Sequence, residues 1–302
     1  MDIGELRTKK QNLIRRARLF AALRSSFGAA GFLEVETDLL IPAPAPEEFI
    51  ESIPAAGRFL RCSPELAMKI MLGAGFERIY QIGRCFRAGE HGRKHREEFT
   101  MLEYYAAGMA YRELAAFTAG FIRSAAQAIF GRPELSFGGE TVRLDGEPEF
   151  ITVEDAFLRF AGMPMAEASE RDLFDELTVT RIEPELGRGR LTFLIDYPAE
   201  RASLARLKPD APQLAERWEL YIGGIELANG YGELTDPAEQ FARFEAARRF
   251  RSEQRMLDYP PAEDFFAALR AGLPPSSGCA LGLDRLAMVF ADASDIAAVR
   301  VE

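Results

Sequence analysis

Apolar residues recur at helical spacing near the start of the chain, where Leu13, Ala17, Phe20, Leu23 and Phe27 would share one face of an amphipathic helix. Gly31 breaks that pattern, and "FLEVET" after it alternates as a strand does. The proline-rich "IPAPAPEE" that follows is too short to link domains and reads as a loop over a site. "SPELAMKIMLGAGF" predicts a helix with Ser63 as its N-cap and Pro64 in the first position, stopping near Gly73 or Gly75. "ERIYQIGRCFR" and "FTMLEYY" predict two strands joined by a loop from about Ala88 to Glu98, a long connection of the kind that is often functional.

Farther along, residues 110–170 are mostly helical in pattern around a short "LSFGGETVRL" hairpin, and "ITVEDAF" starts a helix at Thr152. "RLTFLIDYP" predicts a buried strand ended by Pro198, and "RWELYIGGIELANGYGEL" a hairpin turning at Gly223-Gly224. A long helix follows with Asp236 as cap, Pro237 first and Glu239 reaching back; "SSGCALGLDRLAMVFA" is a small-residue strand running into a helix. Hairpins interleaved with helices, without βαβ crossovers, predict an α+β fold, an antiparallel sheet flanked by helices.

Composition narrows the class. At 302 residues and 48% hydrophobic, the chain suits a single domain spanning residues 1–302. No apolar run approaches the roughly 18 to 20 residues that span a bilayer, and the polar start is unlike a signal peptide, so a soluble, cytoplasmic protein without membrane partners is expected. Three widely spaced cysteines, Cys62, Cys85 and Cys279, form no CxxC pair and fit a reducing compartment. The net charge of −10 disfavours a protein devoted to gripping a phosphate backbone. Against that balance, residues 7–24 carry Arg7, Lys9, Lys10, Arg15, Arg16, Arg18 and Arg24 and no acid, either a solvated helix face or a docking surface for an acidic partner.

Three patterns point to chemistry. In "FTMLEYY", Phe99, Met101, Glu103 and Tyr105 share a strand face; on the preceding strand Gln81, Gly83, Cys85 and Arg87 do so. Charges there make a poor core and a reasonable ligand wall. A two-residue turn at Gly223-Gly224 would put Tyr221 opposite Glu226 and Glu219 opposite Ala228, bringing two carboxylates close enough to share Mg²⁺. In "GLDRL", Arg285 occupies a helix's first turn, where a cation is unfavourable unless an anion or an aromatic plane meets it. The loop residues Arg93, Lys94, His95 and Arg96 suit closure on polyphosphate. His91 and His95 have the spacing of metal ligands on a helix, but Gly92 makes this segment a loop and the chain has no third histidine.

Together, "FLEVET", "CFRAGEHGRKHREEFTMLEYY" and "GCALGLDRLAM" resemble the three signature motifs of class II aminoacyl-tRNA synthetases. "SPELAMK", "EFTMLEYY", "GGIELANGYGELTD" and "ALGLDR" are similar to the lysyl-tRNA synthetase catalytic domain, from about Leu13 onward. With room for only a short helix before the first motif, and so no anticodon-binding domain, the chain resembles the EpmA (GenX/PoxA) family of elongation factor P lysyltransferases. That resemblance implies activation of (R)-β-lysine, or lysine, with ATP and Mg²⁺, transfer to a lysine of elongation factor P rather than to tRNA, and a homodimer.

Residue by residue, it implies Arg87 on the α-phosphate, Phe99 and Arg285 on either side of adenine, His95 near the phosphates, and Glu219 and Glu226 holding Mg²⁺. Glu65 would take the backbone amine, Glu103, Tyr105 and Glu233 the side-chain ammonium, and Asn229 the carboxylate. The chain departs from the family at Asp38, where proline is usual, at Ala88 and Gly89, where asparagine and glutamate are expected and Glu90 would substitute, and in "HREEF". Ala280, where lysyl-tRNA synthetases have glycine, resembles the lysyltransferase branch. Two other readings stay open: a freestanding amino-acid activator charging tRNA or another acceptor, and a silent paralogue acting as a regulatory subunit.

Overall fold

The computed structural model describes residues 2–302. Eight strands make one sheet: β1 (Leu33–Glu34), β2 (Arg78–Phe86), β3 (Glu98–Ala107), β4 (Glu149–Thr152), β5 (Thr192–Ile195), β6 (Arg217–Ile222), β7 (Ile225–Gly232) and β8 (Ser276–Gly282). Their order is β1-β2-β3-β8-β7-β6-β5-β4. The six central strands pair antiparallel, as the hairpins required, whereas the edge strands β1 and β4 run parallel to their neighbours. "FLEVET" contributes only Leu33 and Glu34 to the ladder.

Strand alternation divides the sheet into an apolar and a polar face. Leu102, Tyr104, Trp218, Leu220, Cys279 and Leu281 point into the main core. There they meet α1 (Ile3–Ala29), α3 (Tyr111–Phe130) and α6 (Leu283–Phe290), whose Leu19, Leu23, Phe27, Leu114, Ile122 and Leu286 close the layer. The opposite face carries the charged residues. It is walled by α2 (Glu65–Gly73), α4 (Pro237–Glu253) and α5 (Glu263–Ala271), which pack through Leu66, Ile70, Phe244, Phe265 and Phe266.

Local details correct four expectations. The buried stripe of α1 is Leu19, Leu23 and Phe27, while Ala17 is exposed. Pro64 itself stands at the N-cap of α2, and the Ser63 hydroxyl accepts from the Glu65 N–H at 2.9 Å. Asp236 caps α4 by accepting from Ala238 and Glu239, yet the Glu239 carboxylate pairs with Arg243 instead of turning back. The turn at Gly223 and Gly224 has φ of +56° and +71°, a combination that favours glycine at both positions. Tyr221 does face Glu226, but a bulge then shifts the register so that Glu219 faces Asn229, not Ala228. Leu227 is the extra residue, and both Leu227 and Ala228 turn toward the core.

Basic residues of α1 are partly committed within the fold. Arg16 pairs with buried Asp284 at 2.7 Å and Arg24 with Glu34 at 3.0 Å, while Arg7, Lys10 and Arg18 stay exposed. No helix among the described residues is long and apolar enough to cross a membrane.

Candidate active site

The polar face of β3, β7 and β8 floors a cleft with a cavity volume of about 190 Å³. Arg87, Glu90, His95, Phe99, Glu226 and Arg285 line one end; Glu65, Glu103, Tyr105, Asn229, Glu233 and Ala280 line the other. Glu219 adjoins the first end from β6, in a neighbouring cavity of about 770 Å³ that shares Glu47, Glu226, Asn229 and Tyr231. The residues given roles toward ATP, Mg²⁺ and the amino acid therefore converge on one region, whereas Arg93 of the charged loop is not among those lining either cavity.

At the first end, the Arg87 guanidinium lies 5.1 Å from the centre of the Phe99 ring and 3.6 Å from Glu90. Burial works against the Arg87 charge, but Glu47 and Glu90 outweigh it and hold the group above its ordinary value. Gly89, with φ of +76°, gives its N–H to Glu97, so the chain turns where the motif has glutamate and Glu90 faces the cleft instead. His95 also faces inward, whereas exposed His91 stands beside Glu97. Burial first, and then the Arg285 charge, lowers the His95 pKa.

Arg285 leaves the first turn of α6 to donate to the Glu226 carbonyl at 3.0 Å and its carboxylate at 3.2 Å, and it touches His95 Nε2. Glu219 receives Arg217 at 2.6 Å and the Tyr221 hydroxyl at 2.6 Å. Burial, then the like charge of Glu219, raises the Glu226 pKa. Glu183 joins the two: burial and then Glu226 push its pKa up to about 7.

The second end is a buried acidic pocket. Glu103, 1% exposed, accepts from Ser63 at 2.9 Å and from Tyr105 at 2.6 Å. Burial, reinforced by Glu65, pushes its pKa up to about 8. Glu233, 2% exposed, is raised by burial to about 7. Lys69, on α2 behind them, bridges Glu65 and Glu233 at 2.5 Å each. Ala280 pairs in register with both Glu103 and Asn229, which places it on the pocket floor.

Over residues 1–301 the chain matches the family described as tRNA synthetases class II (D, K and N). It belongs to this family. It is 34% identical over 314 residues to a lysine–tRNA ligase of Thiobacillus denitrificans, covering 95% of this chain and 62% of that protein. To a lysine–tRNA ligase of Dehalococcoides mccartyi it is 35% identical over 325 residues, covering 98% and 64%. The chain thus spans less than two thirds of the length of these curated relatives. Membership accounts for the α+β fold, with its largely antiparallel sheet between helices.

Four charged residues in or behind this cleft were not singled out from the sequence. Lys69 stands one helical turn from Glu65 in "SPELAMK", and Arg217 two positions before Glu219 on the same strand face, so spacing could have found both. Glu47 sits in the proline-rich loop and Glu183 in a stretch of short π and 3₁₀ turns, neither of which carries a period to read.

Proposed function

We propose that the protein activates a lysine-type amino acid, (R)-β-lysine or lysine, with ATP and transfers it to a lysine side chain of elongation factor P. The observation that carries this reading is the continuity of a buried acidic pocket with an arginine-rich, acid-paired end in one cleft. Polar atoms there lack partners: Arg87 Nε and Asn229 Oδ1 are buried without a hydrogen bond, as a ligand-binding surface would leave them. Mg²⁺ fits Glu219 and Glu226, since carboxylate oxygens suit it, and when bound it supplies neutralisation of phosphate charge.

In this reading Glu65 receives one substrate ammonium, and Glu103, Tyr105 and Glu233 the other. Asn229 positions the carboxylate. A carboxylate oxygen attacks the α-phosphorus as the bond to pyrophosphate breaks, giving the aminoacyl-adenylate, and Arg87 offsets the charge that develops. Phe99 and Arg285 flank the adenine, with His95 and Glu90 beside the phosphates. The acceptor amine then attacks the adenylate carbonyl, loses a proton and releases AMP; no side-chain nucleophile is needed. Ala280 narrows the pocket floor by one methyl relative to glycine, which supports the β-amino acid.

Pyrophosphate exchange into ATP tests the first half. Exchange with (R)-β-lysine exceeding that with α-lysine is expected, and no exchange with any diamino acid in the presence of Mg²⁺ overturns the reading. Mass spectrometry separates acceptors: a lysyl-sized addition on elongation factor P is expected. Charging of tRNA instead would establish the second reading, which the names of the lysine–tRNA ligase relatives favour.

A further inference from the structure

We infer that Lys69 is a positioning residue that sets the charge of the amino-acid pocket, tuning it to a ligand with two ammonium groups. The inference rests on the lysine-activation reading and adds a residue that makes no part of the cleft surface.

Lys69 is fully buried, a rare setting for a lysine, and its Nζ lies 2.5 Å from Glu65 Oε1 and 2.5 Å from Glu233 Oε2. These are the two carboxylates proposed to meet different ends of the substrate. Glu103, the third, is served by neutral donors, the Ser63 and Tyr105 hydroxyls. Beyond this group, Arg206 approaches Glu233 but is itself paired with Glu216 at 2.7 Å. In the ionised form that a ligand would bind, three carboxylates against one internal ammonium leave two negative charges, matching the two ammonium groups of a diamino acid. Without Lys69, Glu65 and Glu233 would be like charges in a dry site, and one would take up a proton. That proton would occupy the oxygen a substrate ammonium needs. Burial alone would discharge Lys69; Glu233 and Glu65 outweigh it, and its pKa stands above the ordinary lysine value.

The test measures the amino-acid KM in pyrophosphate exchange across pH 6 to 9, for the unmodified protein, Lys69→Met and Lys69→Gln. The expected result is a KM near neutrality roughly tenfold higher in both variants, recovering as the pH rises by about one to two units, with the ATP KM unchanged. Glutamine keeps hydrogen-bond donors but no charge, so rescue by glutamine would show a bonding role only and overturn the inference. A loss of activity with an unaltered pH profile would overturn it too. If neither variant folds, calorimetry on the unmodified protein in buffers of different ionisation enthalpy decides. Lysine should bind with release of about one proton, and its analogue bearing a hydroxyl in place of the side-chain ammonium at least tenfold more weakly and with smaller release. Equal affinity and equal proton release for the two would count against charge matching. Absence of exchange in the unmodified protein would instead defeat the underlying reading.

Discussion

Ionisation of individual carboxylates gives the cleft a direction in pH. Glu103 and Glu233 are pushed by burial up to about 8 and about 7, from an ordinary 4.5. A carboxylate with a raised pKa favours the folded, protonated form below its ordinary value, and that contribution is lost as the pH climbs through the raised one. The empty protein is therefore expected to lose stability between about pH 5 and 8 from these groups, while a diammonium ligand, which binds the ionised forms, gains affinity across the upper part of that window. The amino-acid KM should fall about tenfold from pH 6 to pH 8, and Glu103→Gln should flatten the upper part of the curve. A KM that rises with pH would contradict the assignment. Arg87 acts at the other end. Arg87→Ala is expected to lower the exchange rate by about 10²- to 10³-fold, the cost of removing one preorganised donor, with little change in amino-acid binding measured by calorimetry.

At the level of strands and helices, small residues decide what fits. Gly278 on β8 leaves room for the Tyr105 ring and the Glu233 carboxylate, and a Cβ there would run into both. Gly278→Ala should raise the amino-acid KM at least about tenfold while sparing the ATP KM, a split read directly from exchange kinetics. The strands were legible in the sequence because one face of each is apolar. Trp218 and Leu220 alternate with Arg217, Glu219 and Tyr221, so the period of two shows through. The glycine pair likewise announced its turn. The bulge was hidden: Leu227 and Ala228 are adjacent apolar residues, which a simple alternation reads as one inward and one outward. The spacing of Lys69 from Glu65 was readable, but its burial was not, since the second carboxylate, Glu233, comes from just beyond β7, far along the sequence. The parallel edge of β1 could not be read from a segment that contributes only two residues to the ladder.

Across the whole molecule, distant segments meet at the charged loop between β2 and β3. Arg96 pairs with Glu302 at 2.8 Å and with Asp295 at 3.6 Å, and the Ile296 N–H donates to the Arg93 carbonyl at 2.8 Å. Asp284 gathers Arg16 from α1, Arg300 near the C-terminus and the Thr100 N–H of β3 immediately before Arg285. The loop thus rests on the same scaffold as the arginine it faces. Because the Arg96–Glu302 pair is partly exposed, its removal should have a modest effect. Glu302→Ala is expected to raise the ATP KM about two- to threefold and to speed tryptic cleavage at Arg93 or Lys94, leaving amino-acid binding unchanged. The extra residue at Leu227 bears on how relatives are compared. It makes the placement of that bulge between the paired glycines and Asn229 as diagnostic as the identities themselves. A homologue of equal length without the bulge would turn its asparagine toward Trp218 and lose the amide from the cleft, whereas one shorter by a single residue there would regain plain alternation and keep it, whatever its percentage of matching letters.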